Sequence, residues 1–358
     1  MWVGNGEWAR AFDDWLAGKA PNTQRAYLRA WEDLVGFAGK GPDRILSADL
    51  QAWANDLGTR ALDPVVLRGL QGKGRRPRDD GHGLSASTIN LWLSAVSSFY
   101  RYVSTRHMVP SNNGDPGGER PLHDRNPAAT IRRPDVASYA RADYLDAGEL
   151  ARLLGAIPRW TVRGLRDYAL ILGYVLTGRR NGEWRGLRWG DLRARGERIY
   201  YTWRGKNTEH ARNELPPPLW EAIRGYLEAA GRLEGMGQDD FVFTPLGDNA
   251  TRLPNVDAGE WDRNRPLSGG ATNRLLKRYA RRAGLDARRI HVHVLRHSAA
   301  MLEEELGASL ASISAFLGHA NPSTTMRYLE HLRGQPDTTW EGKARLLGIE
   351  PARFAGGR

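Results

Sequence analysis

The stretch Pro110–Pro134, PSNNGDPGGERPLHDRNPAATIRRP, constrains the fold more than any other part of the chain. It holds five prolines and three glycines, and proline supplies no amide donor and fixes its own φ. No long helix and no central strand can run through it. The chain must therefore fold as separate parts on either side, and 358 residues suffice for two cores. The expected layout is a helical domain over 1–109, a basic linker over 110–142, a second domain over 143–334 and a tail over 335–358.

Before the break, apolar residues recur at helical spacing. Trp8, Phe12, Trp15 and Leu16 mark one amphipathic helix. Thr23 is placed to cap a second, carrying Tyr27, Trp31, Leu34 and Phe37, and Ser47 a third, with Leu50, Trp53 and Leu57 on one face. Core packing is the expected use of these aromatics. The pattern lapses over 63–83, where QGKGRRPRDDGHG reads as a loop. Lys73, Arg75, Arg76 and Arg78 in that loop are candidate contacts to a phosphate backbone, or equally the charges of a solvated insertion. From Ser85 a long helix resumes, with Ile89, Leu93, Val96, Phe99 and Tyr100 on its buried stripe.

After the break the periods mix. Asp146 and Glu149 form a capping-box pattern opening the helix ELARLLGAI. GLRDYALILGYVLTG is apolar on most sides, as a core helix is, and Gly178 ends it. Ile199, Tyr201 and Trp203 alternate with Tyr200 and Thr202, GKNTEH turns, and RNELPPP returns, which gives a hairpin holding Lys206. A further helix, WEAIRGYLEAAG, and a strand-like FVF precede ATNRLLKRYARRAGL, a helix closed by Gly284. Its Arg274, Lys277, Arg278, Arg281 and Arg282 fall largely on one face. Arg274 and Arg278 are candidate DNA contacts there, with a merely solvated basic face as the alternative. The fold class expected is mainly α, with a small β-hairpin or sheet in the second domain.

Lysine and arginine number 52 against 41 aspartates and glutamates, a formal charge of +11. That balance favours a polyanionic partner through steering and counterion release. Lysine occurs only at positions 19, 40, 73, 206, 277 and 343. Arginine grips phosphate with a planar fork but keeps its proton, whereas a lysine of lowered pKa can give one up, so the isolated Lys206 stands out. Cysteine is absent, which excludes disulfides and cysteine-ligated zinc. No run approaches the ~20 apolar residues of a membrane span. The N-terminus, MWVGNGEWARAFDDW, has no signal-peptide pattern, so a cytoplasmic location is expected, nucleoid-associated in a prokaryote.

The richest chemistry lies between His291 and Tyr328. His293 and Arg296 stand three residues apart, His319 follows a Leu-Gly turn, and Tyr328 is the only tyrosine after His293. Cationic and hydrogen-bonding groups gathered near one hydroxyl point to covalent attack on an anionic centre, a phosphate foremost. His291, His293 and His297 also have a spacing found in metal sites. Arg296 beside them repels a cation and no carboxylate lies in the box, so no metal is expected.

Taken in order, these motifs resemble the tyrosine recombinase (phage integrase) family over nearly the whole chain. TGRRNGEWRGLRWGDL is similar to its first arginine motif, with Arg180 in the catalytic place, Glu183 in the supporting acidic place and Arg179 where an apolar residue is common. RGKNTEHARNELPPP resembles the hairpin that bears the catalytic lysine, here Lys206. HVLRH resembles the His-x-x-Arg box, His293 and Arg296, and LGHANPSTTMRY the closing motif, with His319 and the nucleophile Tyr328. Six catalytic positions in family order make the match specific.

The resemblance implies a SAM-like helical core-binding domain over 1–109 and an α+β catalytic domain over 143–334, closing as a clamp on duplex DNA. It implies a Xer-like or transposon- or integron-type member, without an arm-binding domain. The tail over 335–358 would dock on a neighbouring protomer. The implied activity is site-specific recombination through a 3′-phosphotyrosine, by a tetramer on two sites, without metal, ATP or other cofactor. Arg180 and Arg296 would hold the phosphate and Lys206 would protonate the departing 5′-oxygen. His293 would help activate the tyrosine or bond the phosphate, and His319 would donate to a phosphate oxygen. Two alternatives share parts of this pattern: a type IB topoisomerase-like enzyme that relaxes DNA, and a non-catalytic DNA-binding relative.

Overall fold

The computed structural model describes residues 6–61, 83–111, 118–135, 143–203, 211–246 and 265–318. The candidates Lys73, Arg75, Arg76, Arg78, Lys206, His319 and Tyr328, and the 335–358 tail, lie outside the described residues. The chain divides into two compact units, Met1–Ser138 and Tyr139–Arg358.

The first unit is built on helices α1 (Gly6–Ala17), α2 (Pro21–Ala38), α3 (Ser47–Thr59) and α4 (Ala86–Thr105). Helix α4 packs against the other three. The helical spacing of the aromatics puts Trp8, Phe12, Trp15, Trp31, Phe99 and Tyr100 in one buried cluster. Trp31 meets Phe99 edge to face at 5.0 Å and 85°, and Phe12 meets it at 5.3 Å and 75°, the arrangement that sets a ring's positive edge on a negative face.

Two caps differ from the sequence expectation. Thr23 lies inside the first turn of α2, because Pro21, with φ already fixed, opens that helix two residues earlier. Ser47 is the first residue of α3, and its hydroxyl donates to the Pro127 carbonyl at 2.8 Å. Asp49 does the capping instead, accepting from the Leu46 amide at 2.9 Å.

The described part of the proline-rich segment is docked on this unit. Strands β1 (Met108–Pro110) and β2 (Glu119–Pro121) pair antiparallel. Asn126 donates to Ser97 Oγ at 3.1 Å, Asn90 donates to the Pro134 carbonyl at 2.9 Å, and Ala128 is buried. Proline forbids a helix or a sheet interior here, but α4 side chains can still bond the carbonyls that proline retains.

The second unit contains α5 (Ala147–Gly155), α6 (Val162–Thr177) and α7 (Asn181–Arg185), then strands β3 (Leu192–Arg195), β4 (Arg198–Trp203) and β5 (Ala211–Glu214). Helices α8 (Pro217–Ala229), α9 (Gly269–Arg282), α10 (Val292–Glu305) and α11 (Leu310–Leu317) complete it. The capping box of α5 is present in both directions: Glu149 N to Asp146 Oδ1 at 2.7 Å, and Asp146 N to Glu149 Oε2 at 3.2 Å. The apolar helix α6 is the hub, buried among α8 and α10 through Ala169, Leu170, Ile171 and Tyr174.

The sheet is antiparallel in the order β3-β4-β5, with Tyr201 opposite both Leu192 and Asn213, so β3 extends the expected hairpin to three strands. Tyr201 and Trp203 bury the same face of β4, as a period of two requires. Among the described residues the FVF segment forms one bridge, Phe241 to Arg188. Its carbonyls are held instead by the buried Arg232, at 2.7 Å to Phe241 and 3.1 Å to Val242. Among the described residues no helix is long and apolar enough to cross a membrane.

Candidate active site

Helix α6 delivers the first cationic group. It stops at Gly178, whose φ of 59° is left-handed and suits glycine. The next two arginines then meet opposite environments: Arg179 is 1% exposed, while the Arg180 side chain is 40% exposed. Arg180 opens α7, and Glu183, one turn on, grips it twice. The Arg180 amide donates to Glu183 Oε2 at 2.9 Å and its Nη1 to Oε1 at 2.8 Å. That carboxylate is 8% exposed, so the pair is shielded from water on one side and open on the other.

The short helix α7 is anchored by Trp184, whose buried indole donates to the Leu170 carbonyl at 3.1 Å. Gly173 makes room, since a Cβ there would overlap the indole.

Helix α10 brings the second set. Arg296 is 3% exposed, and its Nη1 and Nη2 donate to the carbonyls of Gly178 and Leu317, both at 2.7 Å. Two of its five donors thus brace the turn before Arg180 to the last turn of α11. His293 lies on the exposed side of α10. Protein crowded around its ring, and then the charges of Arg296, His291 and Arg180, hold its pKa below the ordinary imidazole value. Arg180 is therefore near enough to act on His293.

One turn on, the His297 ring meets that of His293 edge to face at 5.0 Å and 76°. Burial, with His293, His291 and Arg296 adding to it, pulls His297 down to about 3. Both shifts disfavour the protonated ring, and a neutral imidazole can take up or relay a proton.

Helix α11 ends at Gly318, again left-handed at 64°. A Cβ on Gly318 would overlap the Trp203 ring, and one on Gly178 would press on Phe316. The structure so brings Arg180, Glu183, His293 and Arg296 to one junction. It also sets Trp203 and Gly318, the described residues nearest Lys206 and His319 in the chain, against that junction. Arg274 and Arg278 stand elsewhere in the pattern, on the exposed face of α9, whose inner face buries Leu275, Leu276 and Tyr279.

Residues 143–334 match the phage integrase family. The tyrosine recombinase XerC of Xylella fastidiosa is 30% identical over 268 residues, covering 75% of this chain and 76% of that protein. The XerD of Caulobacter vibrioides is 27% identical over 337 residues, 92% of each. Among solved structures, the XerH site-specific recombinase bound to palindromic difH substrate shares the fold at a TM-score of 0.57 and 16% identity, over 91% of this chain and 79% of that one. A lambda integrase tetramer bound to a Holliday junction does so at 0.56 and 17%, over 92% and 79%. The chain belongs to the phage integrase family of site-specific tyrosine recombinases.

Proposed function

We propose that this recombinase breaks and rejoins duplex DNA at defined sites through a 3′-phosphotyrosine formed by Tyr328. The observation that supports the reading best is the junction at Gly178–Arg180, where Arg296 braces the turn before Arg180 and the charges of both arginines act on His293. In the proposed step the Tyr328 oxygen attacks the phosphorus in line and the P–O5′ bond breaks. Negative charge gathers on the non-bridging oxygens. Guanidinium groups suit that charge because they stay protonated at any working pH.

Arg180 is the exposed member that can reach the phosphate, and Glu183 has already fixed its orientation. Arg296 adds its charge from behind the loop. His293, unprotonated, takes the phenol proton, Lys206 supplies one to the departing 5′-oxygen, and His319 donates to a phosphate oxygen. The tyrosine ester retains the energy of the broken bond, so resealing needs no ATP.

Relatives of this fold have been solved on a difH substrate and, as a tetramer, on a Holliday junction. The assembly proposed here is likewise a tetramer over two sites, with residues 335–358 docking on the neighbouring protomer. Arg274 and Arg278, with Lys73, Arg75, Arg76 and Arg78, serve as backbone contacts. The test is to select DNA with Tyr328→Phe and offer two copies of the selected site to the unaltered enzyme. The variant should protect the site without forming a covalent product, and the unaltered enzyme should exchange strands. Relaxation of plasmids irrespective of site would replace this reading with a topoisomerase.

A further inference from the structure

We propose that Arg179 is a positioning residue for strand cleavage: its buried guanidinium clamps together the three chain segments that lead into Arg180, Lys206 and His319. The inference rests on the phosphotyrosine reading above. Arg179 directly precedes Arg180, and its Nε donates to the Thr177 carbonyl at 3.0 Å, which ties it to the turn. Its guanidinium carbon lies 4.2 Å from the ring centre of Trp203, the last residue of β4 and three before Lys206. It lies 6.0 Å from the ring of Phe316, in the last turn of α11. A Cβ built on Gly318, immediately ahead of His319, would stand 3.4 Å from Arg179 Nη1. One planar group therefore reaches all three segments.

An anchoring role alone does not account for an arginine here. Arg232, equally buried, bonds the Phe241 and Val242 carbonyls and the hydroxyls of Tyr226 and Thr244. Arg166 bonds Asp167 and the Thr244 carbonyl. Neither terminal nitrogen of Arg179 has a hydrogen-bond partner among the described residues, against the rule that buried donors are paired. An aliphatic side chain would fill the same space without burying charge. What the guanidinium adds is a flat cationic face that stacks on the indole and fixes its angle. That angle sets where the end of β4 points and how closely Gly318 approaches it.

The experiment compares the full-length enzyme with Arg179→Leu and Arg179→Lys on a nicked duplex carrying the selected site. It reads the melting temperature, the Kd for DNA and the single-turnover rate of covalent adduct formation. Arg179→Leu should melt close to the unaltered protein, because leucine keeps apolar contact with Trp203 and Phe316, and should bind DNA unchanged. Its adduct should form about 100-fold more slowly, the effect of an ångström of misplacement at the reacting groups. Arg179→Lys keeps the charge and the stem but not the plane, so it should be at least about tenfold slow, and it reads the same property if the leucine variant misfolds. An unchanged rate in either folded variant overturns the proposal, as does a loss confined to Kd. Failure of the unaltered enzyme to form any adduct would instead strike the phosphotyrosine reading.

Discussion

Among the described residues the first unit buries an apolar core of aromatic and aliphatic side chains, with no charged side chain in it, whereas the second unit buries Arg166, Asp167, Arg179, Arg232, Arg296 and His297. The difference follows from what each unit has to hold. Helices satisfy their own backbone groups, so the first unit needs little beyond apolar contact to pack α4 among its neighbours. The second unit fixes turns and irregular segments, whose carbonyls have no ladder partner. Gly178, Leu317, Phe241 and Thr244 supply such carbonyls, and arginines meet them. In the first unit such carbonyls are met by neutral side chains such as Ser47 and Asn90, and stability is chiefly a matter of area. In the second, it is also a matter of each buried charge keeping its partners.

The sharpest way to break that contrast is to replace one cation and one core side chain of comparable burial, each by methionine. Arg296→Met should strand the Gly178 and Leu317 carbonyls, each loss worth about 1–3 kcal/mol. Leu50→Met, in the first unit, preserves volume and should cost less than about 1.5 kcal/mol. Urea unfolding of each variant measures both, and equal losses would remove the distinction.

A smaller effect comes from His297. Its folded pKa of about 3 lies below the unfolded value near 6.5, so the unfolded chain takes up the proton first. The stability tied to this group is complete above about pH 6.5 and declines as pH falls toward 3, by up to ~1.4 kcal/mol per unit. Between pH 7 and 5 the enzyme should therefore lose roughly 2 kcal/mol on this account, and His297→Gln should flatten that part of the slope. His293 and His123 are shifted in the same direction, so the difference between variant and unaltered protein carries the test. Identical slopes would mean that burial of His297 contributes nothing to the second unit.

Much of the architecture was legible in the sequence because it is periodic. Trp8, Phe12 and Trp15 declare a helix face, Tyr201 and Trp203 a strand face, and Asp146 with Glu149 a capping box. Arg180 and Glu183 were readable as a pair because they sit one turn apart on the same helix. The brace made by Arg296 was not, since its acceptors lie 118 and 21 residues away in sequence. Nor was the burial of Arg179, which in sequence is only an arginine where an apolar residue is common. The Leu-Gly turn before His319 was visible, but its reason, the closeness of Trp203 to Gly318, is a tertiary fact. The proline-rich segment shows the converse error: composition excludes a long helix and a central strand there, yet it prevents neither the short β1–β2 pairing nor docking on α3 and α4.

Tyr328 is the proposed nucleophile, served by the junction that Arg180, His293 and Arg296 build. Peptide mapping by mass spectrometry of the adduct trapped on a nicked recombination site tests that most directly. One DNA-linked peptide is expected, with Tyr328 esterified to a 3′-phosphate and a free 5′-hydroxyl on the released strand. A link to any other residue, a 5′-phosphate ester, or cleavage without a covalent intermediate would contradict it.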